Sequence, residues 1–475
     1  MTPLFIRNAK LVTPAGVVGG DLLASEGRIV ALGAGLEKTH GARTIDATGC
    51  YVLPGGVDPH VHMELATPAG PSRDDFESGS MAALAGGTTT MLDFVTPERG
   101  QGLLDALRLR KEAAGKSLCD YGLHMSVTRW SDEIPGEMRR CVVEEGIGSF
   151  KLYLAYKAAI GLEDAELLSV MDAAARLGAL VTLHCEHGDA VSYLPRKLLS
   201  EGKTAPRFHA ASRPPEVEGE AVGRALLFAR LTGCGVYVVH VSTEDALSRI
   251  REARCSGEPV AAETCPHYLL LDDAEYDRPG FEGAAYVMSP PLRPASHREA
   301  LWEALRDGLV DTVGTDHCPF DLRGQKDLGR DDFTRIPNGV GGIEERLKLL
   351  YTYGVAEGRL TLPQFADLTA TAPARLFGLH PKKGVLAVGS DADLVVWDPE
   401  PEGVISASTQ RQRCDTSIYE GFRTRGEPRV VILRGRVAFE EGRPVLETGH
   451  GEYLYRSTGR AGPQGPGDRL LITDH

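Results

Sequence analysis

His60-Val61-His62 is the first place along the chain where residue type and spacing suggest chemistry. Side chains alternate along an extended strand, so both imidazoles project from one face and can share a single ion. Alone, the spacing fits a ligand pair or two ordinary polar residues. Lys151, His184, His240 and Asp316 change that reading, because each closes a short apolar run. Singly, His184 and His240 read as satisfied core histidines, Asp316 as a cap and Lys151 as a solvated cation. Together the six form a constellation in which neutral imidazoles and a carboxylate suit a borderline divalent cation, Zn2+ above all. The lysine is the odd member, since an ammonium would repel a metal. Carboxylated by carbon dioxide, it becomes a carbamate able to bridge two ions about 3.5–4 Å apart, between which a water loses a proton near neutral pH. That bridging hydroxide is then the nucleophile, and Asp316 takes its proton and returns it to the leaving nitrogen.

The elements that must position these groups follow a repeated beat. Short apolar strands are expected near 57–62, 88–95, 121–127, 149–154, 180–185, 236–241, 260–265 and 311–316. Helical stretches such as 76–85, 164–177 and 219–231 lie between them. Eight βα units predict a TIM-type (β/α)8 barrel, whose active site lies at the C-terminal ends of its strands. All six candidates fall there. The chain before residue 52 and after residue 376 has a different texture, with short β-type runs at 4–6, 28–32, 43–47, 392–397 and 429–435. This predicts a small β-sandwich built from both termini (1–52 and 376–450) flanking the barrel (53–375). Residues 451–475, rich in glycine and proline at 460–468, are expected to form a tail or an arm onto a neighbouring subunit.

The bulk composition narrows the function further. A chain of 475 residues can build one large domain of about 250–320 residues and a satellite. A net charge of -14 disfavours nucleic acid and anionic membranes as partners. Nine cysteines without a C-x-x-C pair, no signal-like N-terminus and no long apolar run predict a cytoplasmic protein with reduced thiols.

The run His60-Val61-His62, Lys151-Leu152-Tyr153-Leu154-Ala155-Tyr156, Leu183-His184, Val239-His240 and Gly314-Thr315-Asp316-His317 resembles the cyclic amidohydrolases, and most nearly the dihydropyrimidinases and D-hydantoinases. Further matching stretches are Ala85-Gly86-Gly87-Thr88-Thr89-Thr90, Glu263-Thr264-Cys265-Pro266-His267 and Ser289-Pro290-Pro291. The resemblance implies hydrolytic ring opening of dihydropyrimidines and 5-substituted hydantoins to N-carbamoyl amino acids. By the same resemblance, Lys151 is the carboxylated bridging ligand, His60 and His62 hold one ion with Asp316, and His184 and His240 hold the other. It also implies a Tyr156 hydroxyl facing the developing oxyanion, backbone groups of Ser289 and Asn338 gripping the cyclic imide, and a homotetramer or homodimer.

Met63, Leu65 and Phe94 are expected to form an apolar wall for the ring substituent, within or beside a 63–73 loop poorer in aromatics than is usual in hydantoinases. Dihydroorotases carry an arginine two residues after the second histidine; here that position is Glu64, which would repel a substrate carboxylate. Allantoinases carry Glu-Pro after the same histidines, against Met63-Glu64-Leu65 here. Non-catalytic assembly proteins of the same family have lost metal ligands, whereas all six positions are intact here. Cys185, His187, His209, His267 and His317 lie near the rim and are expected to be packing or supporting residues.

Overall fold

The computed structural model describes residues 2–456 and 458, so the glycine- and proline-rich stretch at 460–468 lies outside the described residues. The N-terminal strands are β1 (Leu4–Thr13), β2 (Gly16–Ser25), β3 (Arg28–Gly33), β4 (Arg43–Asp46) and β5 (Tyr51–Pro54). The eight strands β6 (Gly56–Val61), β7 (Thr88–Val95), β8 (Asp120–Ser126), β9 (Ser149–Tyr153), β10 (Leu180–His184), β11 (Val236–Val238), β12 (Val260–Thr264) and β13 (Thr312–Val313) follow in sequence and are neighbours in that order. All their pairings are parallel. A parallel bridge between Val61 and His317 closes the circle. This is the expected barrel.

Strands buried on both faces read as continuous apolar runs rather than alternating ones, and every residue of β7 is buried. Leu92 packs inside the barrel with Val57, Tyr237, Val239 and Phe377, while its neighbour Met91 faces outward onto the helix Phe76–Ala85. That helix begins at Asp75, whose carboxylate accepts from Ser78 N while the Ser78 hydroxyl accepts from Asp75 N. The expected helices at 164–177 and 219–231 are seen as Asp164–Arg176 and within Pro215–Thr232.

Strands β14 (Leu394–Val404), β15 (Arg423–Leu433), β16 (Arg436–Glu440) and β17 (Arg443–Pro444) join β1–β5 in one nine-stranded mixed sheet, the smaller β-domain expected from both chain ends. Its join is the antiparallel pairing of β5 with β14, Leu394 opposite Pro54. The period of two divides each strand between two cores. Leu394, Val396, Val430 and Ile432 enter the sheet's own core, whereas Val395, Trp397, Val431 and Leu433 pack onto the barrel's clusters. No helix among the described residues is long and apolar enough to cross a membrane.

Candidate active site

Strand β6 carries His60 and His62 to the barrel mouth, and β9, β10, β11 and β13 deliver Lys151, His184, His240 and Asp316 to the same rim. Two of these strands are shorter than their apolar runs because buried carboxylates capture their backbone. Glu263 Oε1 accepts from His240 N at 3.1 Å, drawing the chain out of β11 with His240 at φ 40°. Asp58 accepts from Thr315 N at 3.2 Å and from the Thr315 hydroxyl at 2.6 Å, ending β13 before Asp316 at φ 49°. Tyr156, at φ 59°, shares this left-handed geometry. Such backbone is costly for residues with a Cβ and persists where surrounding contacts impose it.

Three donor atoms converge on one point. His60 Nε2 lies 3.2 Å from His62 Nε2, and each lies 3.1 Å from Asp316 Oδ1. Zinc ligands at about 2.0–2.1 Å in tetrahedral array sit about 3.3 Å apart, so the triangle has the size of one face of such a sphere. A second pair, His184 Nδ1 and His240 Nε2, stands 3.0 Å apart. Each set is oriented from behind by a carboxylate. Glu263 Oε1 lies 2.7 Å from His60 Nδ1 and holds a ring proton there, so Nε2 is the nitrogen aimed at Asp316 and a shared ion. Glu186 Oε2 does the same at 2.7 Å from His184 Nε2, leaving Nδ1 free. Gly314 is required beside this scaffold, since a Cβ there would come within 2.6 Å of Glu263 Oε2.

The electrostatics fit a cation. Burial pushes the imidazolium of His62 and His184 down, and that of His240 well down, keeping three rings neutral. Burial opposes a proton on His60 as well, yet Glu263 and Asp316 raise it to about 9, which marks where positive charge is favoured. Asp316 stays ionised against its burial because His60 and His62 face it. Lys151 is 1% exposed and has no carboxylate within ion-pair distance among the described residues. Burial lowers its pKa to about 8, so a useful fraction of free amine exists near neutrality. The donor set therefore suits divalent metal.

A cavity of about 630 Å3 opens over these groups, lined also by Leu65, Tyr153, Tyr156, Ser289, Asn338 and Ile336. Its volume suits a small cyclic molecule. The Tyr156 ring lies 5.2 Å from that of His184, with the Arg213 guanidinium 5.4 Å over its face. The Ser289 hydroxyl is buried and faces that of Tyr156. A larger groove of about 830 Å3 between the helices Pro215–Thr232 and Glu244–Cys255 holds none of the six candidates.

Two expected wall residues are not brought to this cavity. Met63 is fully buried beneath the helix Phe76–Ala85, where a Cβ on Gly79 would meet its sulfur at 2.3 Å. Phe94 sits behind the histidines, stacked between His62 and His124 with centroids 4.7 Å from each. Glu64 also lies away from the cavity lining, at φ 47° with one carboxylate oxygen buried, so charge at that position does not face a substrate. Of the remaining rim histidines, His187 caps the helix Gly188–Ser200, His209 bonds the Met288 carbonyl at 2.7 Å and His317 bonds Asp74 at 2.9 Å. Cys185 is buried with its thiol pushed up by desolvation.

Sequence reasoning missed the carboxylates behind the histidines. Glu186, two residues past His184, lies one strand period away, and Arg213 with His184 holds it at about 2 against its burial. Glu263 sits in a stretch that matched the family without a role being assigned to it.

A parallel eight-stranded barrel with clustered imidazoles and a carboxylate at its C-terminal rim defines a metal-dependent hydrolase of the amidohydrolase type. The chain belongs to the amidohydrolase family, whose model matches residues 51–438. Within it, the chain falls among the D-hydantoinases and dihydropyrimidinases. It is 47% identical over 458 residues to a D-hydantoinase of Geobacillus stearothermophilus, covering 96% of this chain and 97% of that one. A D-hydantoinase of Ralstonia pickettii is 45% identical over 454 residues, covering 95% and 98%. The crystal structure of dihydropyrimidinase from Brevibacillus agri superposes with a TM-score of 0.95 at 44% identity, covering 96% and 99%.

Proposed function

We propose that this protein hydrolyses the ring amide of dihydropyrimidines and 5-substituted hydantoins to N-carbamoyl amino acids. The observation that carries this reading is the convergence of His60, His62 and Asp316 beside the His184–His240 pair, each set backed by its own carboxylate, beneath a cavity of about 630 Å3. His60, His62 and Asp316 would hold one divalent ion and His184 and His240 a second, with Lys151 as carbamate between them; zinc fits the donor set. When bound, such ions lower the pKa of water enough to supply a nucleophile near neutral pH.

The protein's own groups do the rest. Asp316 accepts the proton of the attacking water and delivers it to the departing ring nitrogen. The Tyr156 hydroxyl, a phenol kept protonated by burial, donates to the carbonyl oxygen as charge develops. Backbone groups of Ser289 and Asn338 read the fixed N–H and C=O pattern of the imide. Leu65, Ala66 and Pro68 on one side and Ile336 on another offer an apolar surface to the ring substituent. We further propose a cytoplasmic homotetramer or homodimer.

Metal analysis and a substrate panel test this reading. Purified protein should carry about two equivalents of divalent metal and open dihydrouracil, hydantoin and 5-phenylhydantoin faster than allantoin or dihydroorotate. Preference for dihydroorotate, or less than one equivalent of metal in active material, would overturn it. Lys151→Ala should lose metal and turnover together, with partial rescue by short carboxylic acids.

A further inference from the structure

Residues 321–327 supply no group to the reaction, yet Gln325 and Lys326 touch both walls of the cavity. Lys326 is 1% exposed, and its ammonium donates to the Val287 carbonyl at 2.8 Å. The same carbonyl accepts from Gly339 N at 3.1 Å. One oxygen thus ties together the residue two before Ser289 and the residue after Asn338. No carboxylate among the described residues pairs with Lys326, and burial lowers its pKa to about 7, but an amine donates this bond with or without its charge. The residue before it, Gln325, reaches the opposite wall: its amide nitrogen donates to Pro71 O at 2.9 Å and Ala69 O at 3.3 Å, while its amide oxygen accepts from Asp321 N at 2.9 Å. Residues 65–69 of that loop line the cavity where a ring substituent would lie.

We infer that Gln325 and Lys326 are a pair of positioning residues, Lys326 setting the grip on the ring through Val287 and Gln325 setting the wall against the ring substituent. The inference rests on the ring-opening reading above. Its distinctive content is a division of labour between adjacent residues. Losing the Lys326 bond frees the Ser289 and Asn338 segments and weakens binding of every substrate. Losing the Gln325 donor frees only the 65–71 loop and weakens binding of substituted rings alone.

Lys326→Met keeps the apolar stem and removes the donor, and Gln325→Glu keeps the acceptor for Asp321 N and removes the donor. Both are compared with wild type on dihydrouracil and 5-phenylhydantoin, with metal content and melting temperature measured alongside. Lys326→Met should raise KM for both substrates about tenfold, with kcat within about threefold and metal content unchanged. Gln325→Glu should raise KM about fivefold for 5-phenylhydantoin and leave dihydrouracil within about twofold. Unchanged KM in Lys326→Met, or equal shifts on both substrates in Gln325→Glu, would overturn the assignment. If Lys326→Met fails to fold, Lys326→Gln, whose shorter side chain withdraws the donor from the Val287 carbonyl, replaces it, and an unchanged KM on both substrates there overturns the Lys326 half. A wild type that opens neither ring refutes the functional reading instead.

Discussion

The barrel holds buried charge at both ends, and the two clusters are built on opposite plans. At the base, Lys383 lies 2.6 Å from Asp120 and Asp393 and 2.9 Å from Asp391, and the Arg434 guanidinium closes on Asp120. Every charge there faces an opposite one, and the cluster ties the start of β8 to the residues leading into β14. At the rim, the His60 and His62 imidazoles crowd Asp316, and Lys151 has no carboxylate within ion-pair distance among the described residues. Buried charge that is fully paired specifies structure, whereas buried donors whose balance is missing call for a ligand. Left-handed backbone occurs at both ends, at Tyr156, His240 and Asp316 on the rim and at Arg434 in the base cluster.

Exchanging the effects of the two clusters would break this contrast. The largest expected effect is at the rim: Asp316→Asn should lower kcat about 10³-fold while substrate still binds and the melting temperature moves little. Wild-type turnover in that variant would remove Asp316 from proton transfer. Next is the base, where Lys383→Met leaves three carboxylates without their shared cation and should destabilise the fold by about 3–5 kcal/mol in urea titration, with kcat of the folded fraction unchanged. A drop in kcat there would mean that the two ends are coupled. Glu263→Gln sharpens the rim itself, and chelator competition should show metal affinity weakened about 10–100-fold.

The smallest effect is in pH dependence. Burial disfavours ionised Asp391, but Lys383 holds its pKa below the usual value, so its contribution is present above about pH 4 and lost as pH falls further. Burial opposes the charge on Lys383 too, yet Asp393 and Asp391 raise its pKa, so that contribution is complete below about pH 10.4 and lost as pH rises through the raised value. The difference in melting temperature between wild type and Lys383→Met should therefore be constant from about pH 5 to 9 and shrink as pH rises above about 10.4.

Much of the barrel was legible because strands buried on both faces leave uninterrupted apolar runs, and the six rim residues stood at the ends of those runs. What was hidden depended on side chains distant in sequence. The runs at 236–241 and 311–316 overstate β11 and β13, since nothing local shows that Glu263 and Asp58 will take their backbone N–H groups. Met63 and Phe94 pass for cavity walls in the sequence because apolar residues beside a site look alike whether they face a ligand or support the ligands from behind. The base cluster was illegible for a related reason: Asp120, Asp391 and Asp393 are ordinary surface residue types until Lys383 meets them.

The pairing of β5 with β14 has a consequence for biosynthesis. The edge of β5 finds its partner only when residues near Leu394 have left the ribosome, and at about 5–20 residues per second that takes tens of seconds. Through that interval the N-terminal strands carry an open hydrogen-bonding edge, a template for pairing between nascent chains. Yield of native protein should thus depend on how many ribosomes translate neighbouring copies at once, a liability written into the decision to build one sheet from both ends of the chain.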